Sequence, residues 1–261
     1  FRILCKTIPT LIVRSFSGNC KNPLARNAME DCSSSMIASY AKAFGQLGKP
    51  PFIKPLIYSL GLAVFTALLA LPAGYFAFEW LNEALMAWLG GGDSWWMPAF
   101  EWSVRVLGWL IMLVILFFAF GSIQTAWLGI FMDGVVDAAR DSSHPEVELN
   151  PPPSLSASGW SAMRFLVLSL LVNVLILPLV LIGWILPPLG LIVQLLANGY
   201  LLGREYEDIV SPRFPKHPRL PLLSRSIFGI TAAALFIVPF INFVAPLVTA
   251  IAFTHYLASR K

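Results

Sequence analysis

Long stretches of this chain carry almost no charge, and polar or proline-rich segments separate them. The first, Pro55 to Phe78, is about long enough for one membrane-crossing helix, which needs roughly 20 apolar residues. Val106 to Met132 predicts a second. Phe165 to Leu202 exceeds one span and is interrupted by Pro178 and by Pro187-Pro188-Leu-Gly190. Two antiparallel helices, over about 165–185 and 189–203, fit it better. The last stretch, Ser226 to Thr254, holds Pro239-Phe-Ile-Asn242-Phe-Val-Ala-Pro246 at its middle. Each proline removes a backbone donor and disrupts the preceding turn, and lipid offers the freed carbonyls no partner. Arms over 227–238 and 244–258 are therefore predicted to meet at a turn. Both are shorter than a perpendicular span, so re-entrant insertion supported by surrounding protein is expected.

The separators set orientation. Glu79, Glu83, Asp93 and Glu101 mark the first connector, together with Gly90-Gly-Gly92 and Trp80, Trp88, Trp95, Trp96 and Trp102. Indoles favour the headgroup layer, which places this connector at a membrane face as an anchor. Asp133 to Ser161 is polar; Asp133, Asp137 and Asp141 recur at helical spacing and predict a solvated helix face, since no calcium loop accompanies them. Asn150-Pro-Pro-Pro153 predicts a stiff extended spacer. Gly203 to Arg225 reads as a basic loop, with Arg204, Arg213, Lys216, Arg219 and Arg225. Lysine and arginine cluster before the first span, in 203–225 and at Arg260-Lys261. The positive-inside rule then puts both termini and 203–225 in the cytoplasm and 79–105 outside. By parity 133–161 is inside, and each broken stretch is a hairpin.

Composition supports the membrane reading. Hydrophobic residues make up 57% of the chain and charged residues 12%, about half the roughly 25% of an ordinary soluble domain. The expected fold is all-α: an integral membrane protein with two long transmembrane helices plus two proline-broken, re-entrant helical hairpins. The net charge of +4 comes without a basic stripe interleaved with aromatics, so nucleic acid is not an expected partner, whereas membrane lipid is. Cys5, Cys20 and Cys32 all precede Met36 and suggest neither a disulfide frame nor a metal site. His144, His217 and His255 are far apart in sequence and lack metal-ligand spacing; they read as ordinary loop or helix-end residues. Residues 1–28 contain Arg2, Lys6, Arg14, Lys21 and Arg26 and no acid, a transit-peptide composition. The plainer expectation is translated sequence ahead of a start at Met29 or Met36, giving an unstructured leader over 1–35 and one transmembrane domain over 36–261.

No uncharged stretch supplies a carboxylate relay, a protease constellation or a phosphate-binding glycine loop, so neither an enzyme nor a cofactor is expected. What remains are Gln124, Asn173, Gln194, Asn198 and Asn242. These can hydrogen-bond between helices or satisfy backbone freed at prolines. The alternative is an anion path, because half-helix N-termini such as those after Pro188 and after Asn242 present amide donors and partial positive charge. Arg164, Lys49 and Lys54, at the entries of two stretches, can collect anions or simply snorkel.

Several motifs in order resemble a known family. They are Ala43-Phe-Gly-Gln-Leu-Gly48 leading to Pro55-Leu-Ile, Phe131-Met-Asp-Gly-Val-Val-Asp137, Ala197-Asn-Gly-Tyr-Leu-Leu-Gly-Arg204-Glu-Tyr206 and Val238-Pro-Phe-Ile-Asn-Phe-Val-Ala-Pro246. Over about residues 37–258 the pattern is similar to the CysZ sulfate-permease family, which shares a superfamily with the etoposide-induced membrane proteins. The resemblance implies a homo-oligomeric helical protein of a bacterial inner membrane that passes sulfate or a similar oxyanion toward cytoplasmic cysteine synthesis. From the residues themselves Lys49, Lys54, Arg164, Asn198 and Asn242 are the candidate substrate contacts, with Pro187, Pro188, Pro239 and Pro246 as structural hairpin turns. The family's glycine–apolar–arginine anion motif is replaced by Gly48-Lys-Pro-Pro-Phe-Ile-Lys54. Lysine attracts an oxyanion but lacks the planar fork of arginine, so the anion's identity does not carry over. A non-transporting scaffold or adaptor of the etoposide-induced branch, docking a partner through the proline-rich 133–161 segment, is the competing expectation.

Overall fold

The computed structural model describes residues 23–88, 95–215, 219–238 and 240–260. The first 22 residues of the expected leader, Gly90 to Asp93, Lys216, His217 and Pro239 lie outside the described residues. Among the described residues regular structure is entirely helical. The helices are α1 (Pro23–Gln46), α2 (Pro50–Trp88), α3 (Met97–Ile130), α4 (Met132–Ser143), α5 (Leu155–Ile185), α6 (Pro187–Val210), α7 (Leu222–Ile237) and α8 (Ala245–Ala258), with a 3-10 turn at Ser211–Arg213. α1 runs across the 35/36 boundary at which the leader was expected to give way to the transmembrane domain.

Among the described residues three helices are long and apolar enough to cross a membrane: Pro50–Trp88, Met97–Ile130 and Ser156–Gly183. The most apolar windows of the second and third bury nothing inside the protein. That much outward apolar surface is untenable in water and suited to hydrocarbon. The third helix corrects the expectation of two long helices. α5 continues through Pro178 and ends at Ile185, as the helix expected over about 165–185 required. A proline costs one intrahelical bond, but it does not end a membrane-length helix whose other backbone groups have no alternative partner. α5 also starts ten residues before the apolar run, because the Ser154 hydroxyl accepts from the Ala157 amide at 3.3 Å and caps the helix. Arg164 consequently sits within the helix rather than at its entry, exposed, with its guanidinium 5.0 Å from the Trp160 ring centre.

The chain divides into two compact units. One, residues 56–130, is an antiparallel helical hairpin formed by the rest of α2 and by α3. Its ends are tied by Gln124 Nε2 donating to Ser59 Oγ at 3.2 Å and by Arg105 pairing with Glu79 at 3.5 Å. Gln124 thus makes the interhelical bond that the plainer reading assigned it. Trp80, Trp88, Trp95, Trp96 and Trp102 are all exposed around the hairpin tip, as interfacial anchors should be.

The other unit comprises residues 1–55 and 131–261. Its centre is α8, every residue of which is buried. α1, α4, α6 and α7 pack against it. Tyr40 from α1, Phe228 from α7 and Phe253 from α8 form an aromatic core, with Phe228 4.8 Å from each of the other two rings. α6 and α7 cross at backbone contact. A Cβ on Gly229 would collide with the Gly199 carbonyl and the Gly203 backbone, so the small-xxx-small pair Gly199 and Gly203 sets this crossing. Gly183 and Gly190 do the same between α5 and α6 around the turn at Leu186.

The stretch read as a basic loop, 203–225, is also corrected. α6 carries on to Val210, so Arg204 and Asp208 pair on its surface at 3.1 Å with helical i,i+4 spacing. Asp133 and Asp137 are not simply solvated: both bind Arg213, whose side chain is 3% exposed. Arg213 Nε donates to the Asn150 carbonyl at 2.9 Å, and Asn150 donates back to Arg213 O and Pro212 O. The extended spacer is pinned to the 3-10 turn by this exchange.

Candidate functional site

The broken hairpin forms as the prolines and asparagine require. α7 ends at Ile237 and α8 starts at Ala245, with Pro246 in its first turn, where a missing amide costs nothing. Between them the Asn242 amide donates to Val238 O at 3.1 Å and the Ala245 amide to Ile241 O at 2.7 Å. Phe240 takes a positive φ of 64°, a conformation rare for a bulky residue, and its ring is 83% exposed. The Asn242 side-chain oxygen is buried with no hydrogen-bond partner among the described residues. The same holds for Gln124 Oε1 and Asn82 Oδ1. At the other broken stretch Pro187 and Pro188 occupy the first turn of α6, after the Leu186 amide closes on Ile182 O at 3.1 Å.

Asn198 lies on α6 and lines a groove of about 250 Å³ against α7, together with Gln194, Leu191, Ile192, Ala233 and Ile237. No charged side chain lines it. Lys49 is exposed in the turn after α1, and Lys54 is exposed early in α2. Among the described residues no hydrogen bond or ion pair joins any two of Lys49, Lys54, Arg164, Asn198 and Asn242. They are distributed over the fold rather than gathered.

A second polar cluster was invisible to spacing arguments. His144 and His255, read as unrelated, lie with ring centres 5.5 Å apart where the ends of α1, α4 and α8 meet. Gln46 organises them. The Ser142 hydroxyl spends its single proton on Ala139 O at 3.0 Å, so Gln46 Nε2 must donate to it at 3.1 Å, and donates also to Ser143 Oγ at 3.0 Å. That turns Gln46 Oε1 toward His255 Nε2, 2.9 Å away, and fixes the ring proton on Nε2. His255 Nδ1 is then a buried lone pair with no partner among the described residues. Lys42 Nζ approaches His144 Nε2 at 3.4 Å, which leaves the His144 proton on Nδ1, facing Glu146 at 3.8 Å. Burial and the Lys42 charge hold His144 below the usual histidine range.

Acidic groups in the interior are mostly closed. Glu207, 1% exposed, accepts from Arg225 Nη1 at 2.9 Å and from the Leu220 amide at 2.6 Å. Glu205, half-buried near the end of α6, is the exception, and burial pushes its carboxyl up to about 7 from 4.5. A raised pKa means the folded protein keeps a proton that the unfolded chain releases. The stability from this group is therefore complete below about pH 4.5 and lost as pH rises toward 7. Glu205→Gln is expected to flatten the fall in melting temperature over that interval, measured by thermal unfolding in detergent. A variant with the wild-type slope would assign the proton elsewhere.

An all-helical integral membrane protein, with long apolar helices exposed on their surfaces and a short broken hairpin whose second arm is buried, is the class these features define. The chain belongs to the family described as sulfate transporter CysZ/etoposide-induced protein 2.4, whose profile matches residues 39–246. That confirms the resemblance drawn from the motifs. No curated protein and no solved structure matches the chain.

Proposed function

We propose that the protein is a permease that lets sulfate or a related inorganic oxyanion cross a bacterial inner membrane toward cytoplasmic cysteine synthesis. The observation that carries this reading is the charge-free α7–α8 hairpin, whose second arm is wholly buried. It carries no charge from Ser226 to Thr254, and its half-exposed turn holds an asparagine whose side-chain oxygen is buried with no partner among the described residues. Non-helical backbone at membrane depth is tolerated where protein or a polar cavity covers it, and transporters place sites at such breaks. Backbone amides and asparagine suit an oxyanion because they donate without a fixed counter-charge that would hold it. Sulfate assimilation, homo-oligomeric assembly and cytoplasmic termini belong to the same proposal and follow from the family and the charge pattern.

The competing reading is a scaffold or adaptor that docks a partner through the proline-rich segment, which is anchored by Asn150 on Pro212 and Arg213 and keeps Pro145, Glu146, Pro151 and Pro152 exposed.

Uptake of labelled sulfate into proteoliposomes tests the permease reading, and no flux above empty vesicles at several concentrations and gradients would remove it. Asn242→Leu refines the test. Replacing a side chain whose buried oxygen has no partner with an apolar one costs little stability. The variant is therefore expected to insert and melt like wild type while flux falls at least about tenfold, a loss of roughly 1.4 kcal/mol. Normal flux would make Asn242 a linker only.

A further inference from the structure

The groove between α6 and α7 has walls that are largely carbon, formed by Leu191, Leu195 and Asn198 of α6 and by Ala233 and Ile237 of α7. Leu191, Ile192 and Ile237 are exposed along it, so it opens on the apolar surface of the protein. Water there would find few polar partners. A helix is too bulky, since one turn of a cylinder about 10 Å across fills roughly 420 Å³, against about 250 Å³ for the groove. A single hydrocarbon chain fits. The same side of α6 leads on to a carboxyl. Asn198 and Glu205 are two turns apart, which puts Glu205 on the groove side of the helix and about 10 Å further along it. The uncharged run ends at Leu202, so the groove lies at hydrocarbon depth and Glu205 just outside, level with headgroups. Glu205 is half-buried, and no hydrogen bond or ion pair reaches it among the described residues. The arginines around it are committed elsewhere: Arg204 to Asp208, Arg225 to Glu207, and Arg213 to Asp133 and Asp137.

We propose that α6 and α7 hold one phospholipid with an ammonium headgroup, its acyl chain in the groove and its ammonium on Glu205. Within a bilayer the chain gains no hydrophobic free energy, because it leaves one apolar place for another. It gains packing contacts that an unfilled groove lacks, and any lipid chain would gain the same. Selectivity therefore rests on the headgroup. An ammonium brings the half-buried carboxylate a cation and a charge-assisted hydrogen bond that no arginine of the chain provides. A glycerol headgroup brings neutral hydroxyls and leaves the lipid's phosphate charge beside Glu205 uncompensated. A free amine matches the carboxylate but has no chain to hold it in place. Ile237 is the last residue of α7, so the seated chain also braces the helix end that leads into the Asn242 turn. The site follows from the membrane class of the fold and does not depend on the permease reading.

Native mass spectrometry of the full chain in detergent tests this, with phosphatidylethanolamine and phosphatidylglycerol carrying identical dioleoyl chains. One phosphatidylethanolamine should bind at about tenfold lower concentration than phosphatidylglycerol, the difference a charge-assisted hydrogen bond makes. Glu205→Gln should abolish that preference while a lipid of either kind still binds. Gln194→Trp places a large ring at an exposed position beside the groove and should weaken both lipids alike. Ethanolamine alone, at the same concentrations, should displace neither. Equal binding of the two lipids by the wild type, or a preference that survives Glu205→Gln, would overturn the site. So would lipid binding indifferent to Gln194→Trp, displacement by ethanolamine, which would reduce it to a cation site, or a lipid-free dimer that Gln194→Trp dissociates, which would give the groove to a second copy. If either variant fails to fold, the wild-type preference and the ethanolamine competition decide. Sulfate flux, present or absent, leaves this site standing, and equal lipid binding leaves the permease standing.

Discussion

Arg225→Leu is expected to destabilise the protein by about 3–5 kcal/mol, the largest single loss among its ion pairs. Glu207 is 1% exposed and would keep its charge with only the Leu220 amide, at 2.6 Å, to stabilise it. A buried carboxylate without its cation must either ionise in a poor dielectric or take up a proton. Arg225 also lies 5.5 Å from the Tyr200 ring centre, so the substitution removes a cation–π contact. The pair joins the last turns of α6 to the start of α7, next to the Gly203 contact, and its loss loosens the crossing that holds the hairpin. Adding Glu207→Leu should restore much of the loss, because an apolar pair of similar volume avoids the desolvation cost. Thermal unfolding in detergent reads both variants. A single variant as stable as wild type, or a double variant no better than the single, would contradict this account of the pair.

The second large effect concerns Arg213. Arg213→Met should cost about 2–3 kcal/mol, since it breaks hydrogen bonds to charged partners and to one backbone carbonyl. The loss is smaller than at Arg225 because Asp133 and Asp137 are 43% and 41% exposed and water can re-solvate them. The structural consequence is more specific than the energy. Asn150 and the proline spacer lose their anchor, so proteolysis between Ser143 and Ser154 should accelerate while the long helices stay resistant. An unchanged cleavage rate there would mean that the backbone bond from Asn150 to Arg213 O suffices without the guanidinium.

What could be read from the sequence follows local rules. Proline placement and arm length located the α7–α8 turn to within a residue or two, because a missing amide and a span length are properties of short segments. The turn at Leu186 was legible for the same reason. Pro178 did not end the helix expected over 165–185, because a proline's cost is fixed, whereas its consequence depends on whether the surrounding medium offers the backbone another partner. Charge misled over 203–225. Arginine and acid at i,i+4 spacing were available as a helix signal in Arg204 and Asp208, and the basic residues around them suggested a loop instead. The site cluster lay out of reach altogether. Gln46 and His255 are 209 positions apart, and Asp133 and Arg213 are 80 apart, so no periodicity connects them. The histidines' wide separation was taken as independence, although packing of α1, α4 and α8 brings them together.

Sulfate flux tests the central claim most directly. Wild-type protein in vesicles with an inward sulfate gradient should take up labelled sulfate above empty vesicles, saturably, and Asn242→Leu reconstituted to the same density should lose most of that uptake. Uptake indistinguishable from empty vesicles, with intact folded protein in the membrane, would contradict the permease and leave the broken hairpin without the role assigned to it.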